Sequence, residues 1–130
     1  VNAREKTMSE KKLRFGILGC GLIADFHANA LRAIEYAELV GAADNSIERA
    51  KQYAERYDIK AYANYEEMLA DDEIDAVCIC TPSGFHAENA IQALKANKHV
   101  VLEKPMALTV EDTEKIIAET KKTNKLLTVI

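Results

Sequence analysis

The sequence holds no run of about 18 apolar residues, the length a membrane-crossing helix needs. It has no surplus of positive charge either: 17 Lys and Arg stand against 21 Asp and Glu, a net charge of −4. Nucleic acid and anionic membrane surfaces are therefore not expected partners. Cysteine is scarce. Cys20, Cys78 and Cys80 are the three present, an odd number with no disulfide framework, which predicts reduced thiols in a cytoplasmic setting. Cys78 and Cys80 stand two apart in "AVCIC", on one side of a strand, where they read as small core residues. No further ligands at suitable spacing accompany them, so no metal site is expected. Two prolines and five glycines leave no Pro/Gly/Ser linker, and there is no internal repeat or low-complexity tract. The polar "VNAREKTMSEKK" has no apolar signal core, so no secretion signal is expected. Residues 1–12 read as a disordered leader, with Met8 a natural start, and residues 13–130 as one domain.

What remains has a globular composition, 48% hydrophobic and 29% charged, at a length that supports a core. Short apolar runs alternate with segments of helical period. "LRFGIL" (13–18), "ELVGAAD" (38–44), "IKAY" (59–62), "AVCIC" (76–80), "HVVLE" (99–103) and "LLTVI" (126–130) read as strands. Between them, Ile23, Phe26, Ala30 and Ile34 repeat at helical spacing. Ser46 caps a helix carrying Ile47, Ala50, Ala54 and Tyr57. Asn64 with Glu67 looks like a capping box. Ala87, Ala90, Ile91 and Leu94 mark a further helix, and Thr109 and Asp112 start another with Val110, Thr113, Ile116, Ile117 and Thr120 inward. Alternating apolar strands and helices predict an α/β fold, a doubly wound parallel six-stranded sheet of Rossmann type.

The segment "GILGCGLIADFH" (16–27) contains G-x-G-x-x-A, formed by Gly19, Gly21 and Ala24 between a predicted strand and a predicted helix. Gly19 permits the tight turn, Gly21 lets a pyrophosphate approach the backbone, and Ala24 lets the helix pack close to the sheet. The N–H groups of Leu22 and Ile23 and the helix dipole would hold the phosphates. Asp44 ends the second strand, close to the roughly 20-residue separation expected of a ribose-binding carboxylate. It would repel the 2′-phosphate of NADP and so favours NAD. Asn45, Ser46 and Arg49 beside it keep NADP open. Two further loops fall on the same carboxyl edge: "TPSGFH" (81–86), where Thr81 and Pro82 would line the nicotinamide ribose side, and "EKP" (103–105), where Lys104 brings a cation capable of proton transfer.

Together, "GILGCGLIADFHANAL", "TPSGFHAENAIQALKANKHVVLEKPMALT" and the acid in "AADNS" resemble the amino-terminal domain of the Gfo/Idh/MocA oxidoreductases, from Leu13 to Ile130. The "EKP" tripeptide preceded by "KHV" is its most specific element. The resemblance implies hydride transfer between NAD or NADP and a carbinol on a sugar, inositol or nucleotide sugar. It implies that Gly19, Gly21, Leu22 and Ile23 hold the pyrophosphate, and that Asp44 with Asn45 holds the adenosine ribose. Thr81, Pro82, Ser83 and His86 would line the nicotinamide half, with Glu103 on the nicotinamide ribose. Lys104 would sit beside the nicotinamide and the substrate, contributing to the cofactor site, orienting the substrate hydroxyl and helping to tune its proton transfer, and a cis bond would precede Pro105. Ser83 stands where the family usually has Asn. The family's second domain, which carries most substrate contacts and usually an acid/base His, is not in this sequence. The chain alone is therefore expected to bind dinucleotide without turnover, and its uncovered apolar surface could let copies self-associate. Two alternatives stay open: a non-catalytic dinucleotide sensor that recruits a protein partner, and an interaction domain with an empty cleft. His27 and His99 read as structural, with His86 open between lining the cleft and ending its loop. "ADDEID" (70–75) reads as a solvated connection. Tyr53, Tyr57, Tyr62 and Tyr65 read as packing residues.

Overall fold

The computed structural model describes residues 11–130. The first ten residues of the expected leader lie outside the described residues. The elements follow the alternation read from the sequence: β1 (Leu13–Leu18), α1 (Leu22–Arg32), β2 (Ala37–Ala43), α2 (Ile47–Tyr57), β3 (Lys60–Ala61), α3 (Tyr65–Ala70), β4 (Ala76–Ile79), a 3₁₀ turn (Ser83–Phe85), α4 (His86–Lys95), β5 (His99–Leu102), α5 (Val110–Thr123) and β6 (Leu127–Val129). The six strands form one parallel sheet in the order β3-β2-β1-β4-β5-β6. This is the doubly wound Rossmann arrangement, with its reversal of direction between β1 and β4.

Strand side chains alternate between two cores. Ile17, Cys78 and Cys80 face a layer completed by Ala24, Ala28 and Leu31 of α1 and Tyr53 and Tyr57 of α2. Leu18, Val77, Ile79, Val100 and Leu102 face Met68, Ala90, Leu94 and Ile116 on the other side. Cys78 and Cys80 are thus core residues on one side of their strand. Tyr53, Tyr57, Tyr62 and Tyr65 are buried, and each hydroxyl finds an acceptor: Ala24 O, Asp25 Oδ1, Asp71 Oδ2 and Asn89 O respectively. That is how a buried phenol avoids the cost of an unpaired O–H.

The caps follow the sequence. Ser46, Asn64 and Thr109 accept from the N–H three residues on, at Arg49, Glu67 and Asp112. Two inward faces differ from expectation. On α1 the packed stripe is Ala24, Ala28 and Leu31, while Ile23 and Phe26 on the helix and Ile34 just beyond it are exposed. Small side chains let the helix axis approach the sheet, so the larger ones lose that face. On α5 only Ile116 is buried, and Val110 and Ile117 are exposed. Helix α1 also ends at Arg32, before Ile34, and the β3 strand is Lys60–Ala61. The acidic connection is held by Lys98, whose buried ammonium donates to the carbonyls of Asp71 and Ile74, both at 2.8 Å. A charge so deep is tolerable only with such partners.

Candidate functional site

Every loop singled out in the sequence leaves the carboxyl edge of the sheet, around the β1/β4 switch point, where ligands of such folds bind. The turn after β1 comes first. Gly19 has φ +91°, and a Cβ there would stand 2.8 Å from the carbonyl carbon and oxygen of Cys80. Its N–H is fixed on Ala43 O at 2.9 Å. Gly21 is different. Its backbone is extended, with φ −86° and ψ −165° at the N-cap of α1, and a Cβ there would meet nothing within 4 Å. The first glycine is required by the fold, whereas the second keeps a space open above the start of α1. The N–H groups of Leu22 and Ile23, in the first turn, have no carbonyl partner within the helix. An open cradle beside free donors and the positive end of a helix dipole fits a pyrophosphate.

Asp44 closes the neighbouring corner. Its Oδ2 accepts from Cys20 N at 2.9 Å, and its Oδ1 accepts from Ser46 N at 2.8 Å. Arg49 adds Nε at 3.1 Å and Nη2 at 2.8 Å to Oδ1, and Nη2 also reaches Asn45 Oδ1 at 2.7 Å. Burial acts to raise the Asp44 carboxyl, but these N–H donors and the guanidinium outweigh it and hold it below the usual carboxylate range. Asp44 therefore stays an acceptor through the neutral range. Oδ1 is crowded by three donors, and Oδ2 has capacity left. Cys20 is no nucleophile, because burial and the Asp44 carboxylate push its thiol up to about 12.

Across the switch point, Thr81 Oγ1 donates to Asn89 Oδ1 at 2.7 Å, and Pro82 and Ser83 lead into the 3₁₀ turn. His86, read either as lining the cleft or as ending its loop, lies in the interior. It is 1% exposed, and its ring nitrogens lie 2.7 Å from the carbonyl oxygens of Pro105 and Thr81. With both nitrogens turned to backbone, the ring has none to offer a ligand. It ties the "TPSGFH" loop to the "EKP" loop instead. The Lys104–Pro105 peptide is cis, as the resemblance implied. Lys104 is exposed, and none of the described residues forms an ion pair or hydrogen bond with its ammonium. Glu103 is buried, with Oε2 near Lys104 N at 3.2 Å and Oε1 2.8 Å from His27 Nε2.

His27, read as structural, makes a contact with Glu103 that the sequence did not show. It had no visible partner because Glu103 lies 76 residues away. His99 keeps a structural role, with Nδ1 accepting from Leu126 N at 3.0 Å.

Elsewhere, a depression of about 430 Å³ lined by Tyr65, Leu69, Gln92 and Lys95 lies between α3 and the C-terminal end of α4. Among the described residues no group of three His, Cys, Asp or Glu side chains could hold a metal, and no helix is long and apolar enough to cross a membrane.

Comparison with known proteins gives this edge a context. Myo-inositol 2-dehydrogenase of Thermotoga maritima is 36% identical over 116 residues, which is 88% of this chain and 35% of that protein. The WlbA dehydrogenase of Chromobacterium violaceum, solved with NADH and UDP-GlcNAcA, superposes with a TM-score of 0.88 at 36% identity, covering 93% of this chain and 35% of that one. KijD10, a 3-ketoreductase of Actinomadura kijaniata solved with NADP and TDP-benzene, gives 0.87 at 32% identity, covering 92% and 37%. The chain thus spans about a third of the length of these relatives. Residues 13–130 match the model of the oxidoreductase family with an NAD-binding Rossmann fold, and the chain belongs to that Gfo/Idh/MocA family as an NAD(P)-binding oxidoreductase domain.

Proposed function

We propose that residues 13–130 bind the dinucleotide along the carboxyl edge of the sheet and present its nicotinamide to a sugar, inositol or nucleotide-sugar hydroxyl in a complete NAD(P)-dependent dehydrogenase. The observation that carries this reading is the open space over Gly21 beside the first turn of α1. In this reading Gly19, Gly21, Leu22 and Ile23 take the pyrophosphate, and Asp44 with Asn45 takes the adenosine ribose. Thr81, Pro82 and Ser83 border the nicotinamide half with Glu103. The cofactor, when bound, supplies the hydride acceptor or donor. The chain's own part is orientation and charge.

Lys104 is the one proposed chemical participant. An exposed ammonium at the strand edge can hold a substrate hydroxyl and ease its proton transfer. In the full-length protein, Lys104→Ala is expected to lower kcat by about 10²–10³-fold while NAD⁺ affinity, measured by titration, stays within about threefold. Turnover unchanged by Lys104→Ala would remove it from the chemistry. The relatives' names favour this enzyme reading over a dinucleotide sensor. NAD⁺ is the proposed cofactor, because the Asp44 carboxylate, charged at neutral pH, opposes a 2′-phosphate. Arg49, already seated on Asp44, lowers that opposition without reversing it. NAD⁺ is expected to bind at least about tenfold tighter than NADP⁺, about 1.4 kcal/mol, in parallel titrations. Equal or reversed affinities would assign the ribose corner to Arg49.

A further inference from the structure

We propose that His27 is a positioning residue for the nicotinamide half of the site, acting through Glu103; this rests on the cofactor reading above. Glu103 carries a carboxylate at 8% residue exposure, where an unpartnered charge is costly. Among the described residues it has two hydrogen-bond anchors: Lys104 N at 3.2 Å on Oε2, from the adjoining backbone, and His27 Nε2 at 2.8 Å on Oε1. Only the second comes from another element. The two side chains are 10% and 11% exposed, so little water competes for the contact. His27 is itself fixed, because Ala24 and Ala28 on either side of it in α1 are fully buried against the sheet.

Helix α1 thus does two things. Its first turn offers N–H groups at the proposed pyrophosphate position, and His27, farther along, holds the carboxylate of the loop after β5. The contact spans the switch point and sets the Glu103 carboxylate in a fixed place relative to the glycine turn. Asp44 and its donors lie on the other side of that turn and share no hydrogen bond with His27 or Glu103. Loss of the His27 donor should therefore be felt by the nicotinamide half of a dinucleotide and not by the adenosine half.

Two substitutions separate the donor from the packing. In His27→Gln the amide nitrogen falls near the place of Nε2 and can still donate to Glu103. In His27→Asn it falls near Nδ1 and cannot reach. The full-length protein and both variants are titrated with NAD⁺ and with ADP, which lacks the nicotinamide half, and their melting temperatures are recorded. The expected result is NAD⁺ affinity lowered about tenfold in His27→Asn, ADP affinity within about twofold, and NAD⁺ affinity largely restored in His27→Gln. Parallel weakening of ADP and NAD⁺ would make His27 a structural residue only and overturn the proposal. Unchanged NAD⁺ affinity, or equal losses in the two variants, would also overturn it. Wild-type protein that binds neither ADP nor NAD⁺ would instead overturn the cofactor reading, and this proposal with it.

Discussion

Valine at Gly21 is expected to leave the chain folded and remove most of its affinity for dinucleotide. The backbone there, φ −86° and ψ −165°, is open to any L-residue, and a new Cβ meets nothing within 4 Å. Replacing a glycine N-cap by an apolar residue costs at most about 1 kcal/mol, a melting shift of a few degrees. The ligand is affected far more. In the proposed site a pyrophosphate oxygen comes within hydrogen-bond distance of the backbone here, and a branched side chain would occupy the approach. Hydrogen bonds to a charged group contribute about 1.5–3 kcal/mol each. Losing one or two of them, about 1.5–6 kcal/mol, corresponds to roughly tenfold to ten-thousandfold in Kd, with about a hundredfold for one strong bond. Calorimetric titration with NAD⁺ together with a thermal melt checks both halves of the statement. Wild-type affinity in Gly21→Val would place the pyrophosphate elsewhere.

Gly19→Ala is expected to do the opposite and damage the fold first. A φ of +91° is strained for any side-chain-bearing residue, at about 1–3 kcal/mol. The added methyl would also press on backbone atoms of Cys80 and Thr81, at 2.8 and 2.9 Å, and backbone cannot rotate away as a side chain can. That overpacking adds about 1–3 kcal/mol. The sum, about 2–6 kcal/mol, is a large part of the ~5–15 kcal/mol that holds a domain folded. Thermal or urea unfolding should show a loss near 10 °C or more. A loss below about 1 kcal/mol would mean that the turn relaxes and that Gly19 is not a packing requirement.

The two glycines differ in what surrounds them, and the sequence motif shows only that both are glycine. Separate roles, turn and open approach, were read from the strand-to-helix context, and the structure shows different surroundings at the two: backbone pressed close at Gly19, open space at Gly21. The strand and helix alternation was legible because buried parallel strands are apolar throughout while helices carry polar faces. The caps at Ser46, Asn64 and Thr109 were legible because each is a local hydrogen bond three residues long. The inward faces of α1 and α5 were not. Periodicity weighs large apolar residues such as Ile23, Phe26, Val110 and Ile117, but α1 is seated by the small Ala24 and Ala28. Partners far apart in the chain were equally out of reach. The His27–Glu103 contact and the seat of His86 between two carbonyls exist only because β1, β4 and β5 lie side by side.

The central claim, that the cradle over Gly21 receives a dinucleotide, is tested most directly by titrating the wild-type protein and Gly21→Val with NAD⁺ side by side, each shown folded by its melting curve. Binding by the wild type with a loss of roughly a hundredfold in the variant is the predicted result. Equal affinity in the two, or a folded wild type that binds no dinucleotide, would contradict it.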